Sequence, residues 1–250
     1  MGRRFQGVLG IVLIMCFGLT AKLQAATVVP GQSTIAGETL GQWSNDWFKW
    51  ALSFGPGPFS DTDGSRDNIN QSGPVFFLAG TGVGAGPVTR NVTVGDNKLL
   101  FFPLINWLVA NGADPGFADT KTEAIALATN TINPANLFAT IDGVPVGNLA
   151  SHREDSGAVF TLTFVNNNDF GFPAATYNDA YGDGYYLMVN PLSVGPHTLH
   201  FGGTGTPYDA GAFQVAPFAI DVTVNLPAAI FIGPLCAVPM LALRRRFCKH

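Results

Sequence analysis

The chain has 250 residues, of which 47% are hydrophobic and 12% are charged, with a formal net charge of −4. Seven of its 13 Lys and Arg lie in the two ends. The stretch 26–225 therefore contains six Lys and Arg and all 17 Asp and Glu, which gives it a net charge of −11. This balance argues against nucleic acid as a partner, since phosphate binding needs clustered Lys and Arg. The ends also hold all three cysteines, Cys16, Cys236 and Cys248. The central stretch therefore has no disulfide, thiolate metal site or Cys nucleophile.

Residues 1–26 have the pattern of a secretory signal peptide. Arg3 and Arg4 provide a positive start, and residues 7–19 are apolar. Small residues at the end of the segment predict cleavage after Ala25 or Ala26. We therefore expect the protein to be exported. No repeat or long linker divides 27–224, so this stretch is expected to form a single domain.

The first element of the mature stretch is predicted to be a helix. Thr39 and Gln42 have the spacing of a capping box, and apolar residues follow at helical spacing until the Gly-Pro pairs at 55–58. Three tryptophans fall on one face: Trp43, Trp47 and Trp50. Such a face is typical of a helix packed on a sheet, and an exposed sugar-stacking surface is the alternative.

From residue 75 the chain consists of short apolar or alternating runs separated by turns. Nine runs are predicted as strands: 75–79, 88–94, 98–105, 137–141, 144–146, 158–165, 185–190, 198–201 and 213–225. The turns 95–97 and 142–143 are hairpin signals, and Pro145 predicts an edge strand. A second capping box at Thr120 predicts a short helix to residue 131. The expected fold is mainly β, an antiparallel β-sandwich of jelly-roll type with two short helices.

Residues 225–250 are predicted to form a separate C-terminal segment. The stretch 226–243 is a run of 18 uncharged residues, at the short limit of what crosses a bilayer as a helix. Three prolines weaken it as a helix, although membrane helices tolerate proline better than soluble ones. The basic residues 244–246 and Lys249 would hold the end of the chain in the cytoplasm. A permanent single-pass anchor is one interpretation.

The order of residues in this segment resembles the PEP-CTERM sorting signal, in the variant built around Pro-Leu-Pro-Ala-Ala. Asn225 stands in place of the first proline. The residues that carry the resemblance are a short motif and a basic end: Leu226, Pro227, Ala228, Ala229, Arg244, Arg245 and Arg246. The resemblance implies a precursor held transiently in the inner membrane of a Gram-negative bacterium. It further implies cleavage by an exosortase-type enzyme and release to a cell surface, biofilm or exopolysaccharide matrix.

The central stretch resembles an uncharacterised family of secreted bacterial proteins. The resemblance rests on 43–50, 71–80, 98–106 and 191–203. It covers most of the mature chain and implies one continuous domain, without implying an activity.

One acidic stretch has some features of a calcium loop. Asp61, Asp63 and Asp67 supply carboxylates within the range 61–67, and such loops use oxygen ligands at alternate positions. However, glycine stands at loop position 4 rather than 6, and Ser72 replaces the final Glu. The alternative is a surface turn without metal. Calcium is the one cofactor that the sequence suggests.

The stretch 177–186 has the composition of a sugar-binding loop. Its candidate residues are Tyr177, Asp179, Tyr181, Asp183 and Tyr185. Tyrosine rings can stack on sugar rings, while Asp and Asn accept hydrogen bonds from hydroxyl groups. The alternative is a turn whose last tyrosines begin a strand. A glycan-binding lectin would need several of these rings to be exposed and coplanar.

Two further groups of polar residues carry weaker predictions. His197 and His200 lie three apart on a predicted strand, so they point to opposite faces and cannot share a metal ion without a bulge. One of them is expected to be buried and the other solvated. The charged residues 152–155 are predicted to form an exposed turn.

The sequence thus predicts an exported, non-catalytic protein of the cell surface or matrix. Exopolysaccharide is its suggested partner, and no common catalytic motif occurs in the chain. The alternatives are a glycan-binding lectin or a carbohydrate-active enzyme acting on the same matrix. The enzyme would need two carboxylates about 5 to 10 Å apart in a cleft.

Overall fold

A computed structural model of the protein describes residues 26–81, 88–110, 137–203 and 218–226. The predicted signal peptide up to Ala25, the predicted second helix at 120–131 and the segment after Leu226 lie outside these ranges. The described part is mainly β, with one α-helix and two 3-10 turns. None of the helices in these ranges is both long and apolar enough to cross a membrane.

The elements have the following bounds in chain order. They are β1 (Thr34–Ile35), β2 (Glu38–Thr39), α1 (Leu40–Ala51), β3 (Val75–Phe77), β4 (Val88–Thr93), β5 (Leu99–Ala110), β6 (Phe138–Ile141), β7 (Val144–Pro145), β8 (Arg153–Asp155), β9 (Phe160–Phe164), β10 (Ala175–Val189), β11 (Gly195–Gly203) and β12 (Phe218–Leu226). The 3-10 turns are Pro58–Ser60 and Leu149–His152.

Helix α1 is present as the sequence predicts. Thr39 caps α1, its hydroxyl accepting a bond from the Gln42 backbone while the Gln42 side chain accepts one from the Thr39 backbone. Trp47 is fully buried, and Trp43 and Trp50 are nearly so. Each indole N–H donates to a backbone carbonyl, as in the 2.9 Å bond from Trp47 to the Leu78 oxygen. The three tryptophans therefore pack the helix onto the protein and offer no sugar-stacking surface.

The strands form two large sheets and a small one. The first sheet has the order β3-β5-β10-β8, with β9 also paired to β10, and the second has the order β4-β12-β11-β6-β7. Strands β1 and β2 form the small hairpin that precedes α1. Strand β7 is an edge, as predicted, and β5 lies in the interior of the first sheet. The pairing is mixed, because β3 runs parallel to β5 and β12 runs parallel to β4.

The hairpin predicted at the turn 95–97 is wrong. Strands β4 and β5 flank this turn but belong to different sheets, so the turn crosses between the two layers. The hairpin predicted at 142–143 is confirmed by the antiparallel pairing of β6 with β7. Strand β4 cannot pair with β5 because both edges of β5 are already paired within the first sheet, with β3 and β10.

Two apolar clusters hold these layers together. One lies between the two large sheets, where the rings of Phe102 and Phe201 approach to 4.2 Å between centroids. The other lies between the first sheet and α1, where Trp47 contacts Tyr186 and the rings of Phe101 and Tyr186 stack. The first sheet is therefore covered on both faces, by α1 on its outer face and by the second sheet on its inner face.

Both ends of the described domain lie beside the same loop. The Asn190 N–H donates to the Thr27 carbonyl over 2.9 Å at one end of the loop 190–195. At the other end of this loop, Gly195 pairs with Leu226. We call this part of the molecule, which comprises Thr27, the loop 190–195 and Leu226, the exit end.

Candidate functional site

A polar depression of about 480 Å³ lies where β8 and β10 meet the start of α1. We call it the acidic pocket, and its lining residues are Gln32, Thr39, Gly41, Arg153, Glu154, Asp155, Gly157 and Asp183. Antiparallel pairing places Asp183 opposite Asp155, and Gly184 opposite Glu154. Three carboxylates from two adjacent strands thereby line the same pocket as Arg153.

Arg153 and Asp183 form an ion pair with two hydrogen bonds in the pocket. The guanidinium donates from Nε and Nη2 to the two oxygens of Asp183, over 3.0 and 2.7 Å. Asp183 is 2% exposed, and this burial raises the pKa of its carboxyl group even though Arg153 acts in the opposite direction. The hydrogen bond with Asp183 in turn raises the pKa of Arg153.

Glu154 lies beside this pair and is also buried. Its carboxylate accepts hydrogen bonds from the backbone N–H of Gln32, over 2.7 Å, and from the Gln32 side chain. Burial raises the pKa of Glu154, because the bonds from Gln32 only partly replace the lost hydration. Asp155 accepts a bond from the Gly157 N–H. The pocket as a whole suits groups that donate hydrogen bonds, such as hydroxyl or ammonium groups.

The exposed turn predicted at 152–155 is wrong. Residues 153–155 form β8, while His152 and Glu154 are buried at 6% and 4% exposure. Burial also lowers the pKa of His152. Sequence reasoning missed Arg153, Glu154 and Gln32 as pocket residues. Four polar residues in a row carry no hydrophobic alternation, which is the signal that identifies a half-buried strand.

The sugar-binding loop predicted at 177–186 is a strand instead. The whole stretch lies within β10, and Tyr181, Asp183 and Tyr185 are 2%, 2% and 6% exposed. Tyr177 is half-buried, with its ring edge against Phe164. Asp179 is exposed, on the polar first half of the strand. The structure thus brings only Asp183 to the acidic pocket and leaves no set of exposed coplanar tyrosines.

The aspartates of the predicted calcium loop have other partners. Asp61 accepts bonds from the backbone N–H groups of Asp63 and Arg66, and Asp63 accepts one from Ser65. Asp67 is fully buried, 3.8 Å from the guanidinium of Arg90. Across the described ranges, no three His, Cys, Asp or Glu residues are arranged to hold a metal ion. The cation beside Asp67 is thus Arg90.

His197 and His200 occupy different environments. His197 is 5% exposed, with Nδ1 2.7 Å from Asp142 and Nε2 2.8 Å from the Ser193 carbonyl and 3.1 Å from its hydroxyl. It thereby ties the loop 190–195 to the turn between β6 and β7. His200 is half-buried and lies against the ring of Phe138. The prediction that one histidine is buried is confirmed, while the other is packed against a ring rather than fully solvated.

A second, more apolar depression of about 780 Å³ lies between the N-terminal segment and the hairpin of β6 and β7. Its walls include Val28, Ile141 and Val144, and Val144 is 66% exposed. The size is in the range of ligand pockets, roughly 300 to 1,000 Å³. Its few polar side chains include Asp142, which is already bonded to His197 and to the Thr198 N–H.

Of the predicted sorting residues, Leu226 is the one that the structure describes. It ends β12, is 5% exposed and packs in the cluster between the two sheets. The motif residues 227–229 and the arginines 244–246 lie outside the described ranges. Leu226 therefore belongs to the folded domain as well as to the predicted motif.

Comparisons with known proteins add little to this geometry. No protein-family model matches the chain, and no curated protein matches it. The solution structure of amebosin aligns with 57% of this chain and 99% of its own length, at 8% identity and a TM-score of 0.18. A TM-score this low carries no information on fold or function.

Proposed function

We propose that this is an exported, non-catalytic protein of the bacterial cell surface or exopolysaccharide matrix. Its C-terminal segment holds the precursor in the inner membrane until an exosortase-type enzyme cuts it. We further propose that the two large packed sheets constitute a β-sandwich of jelly-roll type, although with a parallel pair in each sheet.

The observation that best supports this proposal is the position of the two chain ends. Thr27 and Leu226 both lie at the exit end, on either side of the loop 190–195. A secreted domain with a signal peptide before it and a membrane segment after it is attached to one membrane at both ends. Exits on the same side of the domain let both segments reach that membrane without unfolding the sheets.

The last strand also restricts where the precursor can be cut. β12 lies between β4 and β11, so Asn225 is paired on one side with Thr93 and on the other with Pro196. A peptide bond held in such a ladder must leave it before a protease can bind it. Cleavage is therefore expected after Leu226, within residues 227–229, so that the released domain keeps its complete last strand.

The carbohydrate-active alternative would place its carboxylates in the acidic pocket. There, Asp183 is bonded to Arg153 and Glu154 to Gln32. A catalytic acid and base need carboxyl oxygens that can reach the substrate. Because these two side chains are engaged in contacts that join distant segments of the fold, we favour the non-catalytic role.

Mass spectrometry of the protein released by its native host tests the proposal. The expected C-terminus lies between Pro227 and Ala229. Exported protein that still carries the residues 244–250 would contradict processing, and a C-terminus before Asn225 would contradict the limit set by β12.

A charge variant provides the matching test of membrane retention. Replacing Arg244, Arg245 and Arg246 with Ser removes the positive charges that keep this end in the cytoplasm. The whole chain is then expected to be exported with its tail intact. The control Lys249→Ser leaves three adjacent arginines and is expected to be processed normally.

A further inference from the structure

The loop of the exit end presents an apolar side chain to solvent. Val194 is 56% exposed and directly precedes Gly195, the partner of Leu226. The loop is held in place, because the buried His197 contacts both the hydroxyl and the carbonyl of Ser193. The position of Val194 beside the exit of the chain is therefore fixed by the fold.

The length of the predicted membrane segment leaves no room for a linker. Leu226 is buried in the domain, so the uncharged residues available to cross the bilayer are 227–243. As a helix, the form that satisfies backbone hydrogen bonds in lipid, these 17 residues span about 26 Å at 1.5 Å each. The hydrocarbon core is about 30 Å thick. A segment this short draws its first residue down to the membrane surface.

We propose that the exit end rests on the outer surface of the lipid bilayer while the precursor is anchored, with Val194 in contact with lipid. This inference depends on the membrane anchoring proposed above and adds the orientation of the domain and the surface that touches the membrane. The first residue after Leu226 enters the membrane, so the loop 190–195 must lie at the interface beside it. An apolar side chain at that position gains contact with lipid instead of water.

Charge at the exit end indicates which lipids suit this contact. The Val94 N–H donates to the Asn225 carbonyl, which places the turn 95–97 at the same end of β12. Asp96 on this turn is exposed and would be repelled by anionic headgroups. The contact is therefore driven by the short tether and by Val194, and a neutral phosphatidylcholine bilayer is sufficient for it.

Site-specific fluorescence on the anchored precursor tests the orientation. The precursor without its signal peptide, with Cys236→Ser and Cys248→Ser, receives one cysteine by Val194→Cys and is labelled with a polarity-sensitive fluorophore. Val159→Cys is the matched control, because Val159 is 50% exposed and adjoins Phe160, the partner of Ala180. Ala180 is nine residues along β10 from Val189, or roughly 30 Å at 3.3 Å per residue.

In phosphatidylcholine vesicles, the label at 194 is expected to shift to the blue and to be quenched several-fold more by brominated lipid than the label at 159. Equal, weak quenching at both positions in protein that floats with the vesicles would overturn the orientation and leave the anchoring intact. Protein that does not float with the vesicles would overturn the anchoring and the orientation together.

An insertion after Leu226 separates the effect of tether length from other causes. About twelve Gly and Ser residues, with a mean span of roughly 20 Å, are expected to preserve flotation and to abolish most of the quenching at 194. Unchanged quenching in this variant would show that the contact does not depend on the short tether, and would overturn the argument from length.

Discussion

Two arginine–aspartate pairs in this protein differ in what holds the arginine. Arg90 and Asp67 are both fully buried, and their charged atoms are 3.8 Å apart. Arg153 and Asp183 are 2.7 Å apart, with Arg153 34% exposed at the rim of the acidic pocket. The more deeply buried pair is thus the more loosely joined, so the carboxylate is not the main partner of Arg90.

The main partners of Arg90 are backbone carbonyls. Its guanidinium donates five hydrogen bonds of 2.7 to 3.3 Å to the oxygens of Pro58, Asp61, Ala79 and Gly80. Three of these bonds come from Nη2, which carries two hydrogens, so three carbonyls share them. Arg90 therefore fastens two loops to β4, whereas Arg153 chiefly neutralises one carboxylate. The comparison shows that a fully buried arginine need not form a close ion pair, while a partly exposed arginine can.

Replacing Arg90 is expected to produce the largest effect. Arg90→Met leaves four buried carbonyls without their donor and removes the positive charge next to Asp67, and breaking such a buried network costs about 3 to 5 kcal/mol of the free energy of unfolding. Arg90→Lys retains the charge but not the planar fork with five donors, so it should restore little of that loss. Chemical denaturation of the protein measures the loss in both variants.

Arg153→Met is the matched control for this prediction. The Asp183 carboxylate that it leaves behind borders the acidic pocket, where water can replace the guanidinium. The expected cost is about 1 to 2 kcal/mol, between the values for surface and buried pairs. If Arg90→Met lowered the free energy of unfolding no more than Arg153→Met does, the carbonyl contacts of Arg90 would contribute little to stability.

The Asp67 carboxyl should make stability fall as pH rises. Burial raises its pKa to about 7 from the ordinary value of 3.8, with Arg90 acting in the opposite direction. The folded state therefore holds a proton that the unfolded state has lost between these two pH values. The stabilising effect is complete below about pH 4 and disappears as pH rises through 7. Asp67→Asn removes this dependence. Between pH 4 and pH 8, the free energy of unfolding of the variant should therefore rise relative to that of the wild type, by as much as about 4 kcal/mol.

Asp63→Asn is the control for the pH dependence. Hydrogen bonds from Ser65 lower the pKa of Asp63, so its contribution has the opposite sign and is lost as pH falls below the ordinary value for Asp. Unfolding curves at pH 4, 6 and 8 distinguish the two variants. A difference between wild type and Asp67→Asn that does not change with pH would show that Asp67 stays ionised throughout.

The elements governed by local patterns could be predicted from the sequence. Thr39 with Gln42, and the tryptophans at helical spacing, identify α1 because capping and amphipathicity act within a few residues. The length of β10 could not be found this way, since Gly182 and Gly184 look like turn residues. In the fold they permit close packing: a Cβ at Gly182 would clash with the ring of Phe48, and one at Gly184 with Asn106.

The polar sites depend on contacts between distant parts of the chain. Arg90 is one of six Lys and Arg residues in 26–225. It lies two residues from both Val88 and Val92, so a strand places all three on the same face. Nothing local to it identifies Pro58 or Ala79 as its partners. The acidic pocket likewise requires β8 to pair with β10 and Gln32 to reach Glu154, 122 residues away. The residue types were visible in the sequence, whereas their convergence is a property of the topology.

The smallest expected effect is the coupling between Arg153 and Asp183. A double-mutant cycle with Arg153→Met and Asp183→Asn isolates it, because both changes approximately preserve side-chain size. Two well-aligned bonds on a pair that is buried on one side should give a coupling energy of about 1 kcal/mol, reduced in 1 M salt because Arg153 is reached by solvent. A corresponding cycle with Arg90→Met and Asp67→Asn should give a coupling less sensitive to salt, since both groups are fully enclosed. Equal salt sensitivity of the two cycles would mean that solvent reaches Arg90 as readily as Arg153, which would remove the distinction between the two pairs.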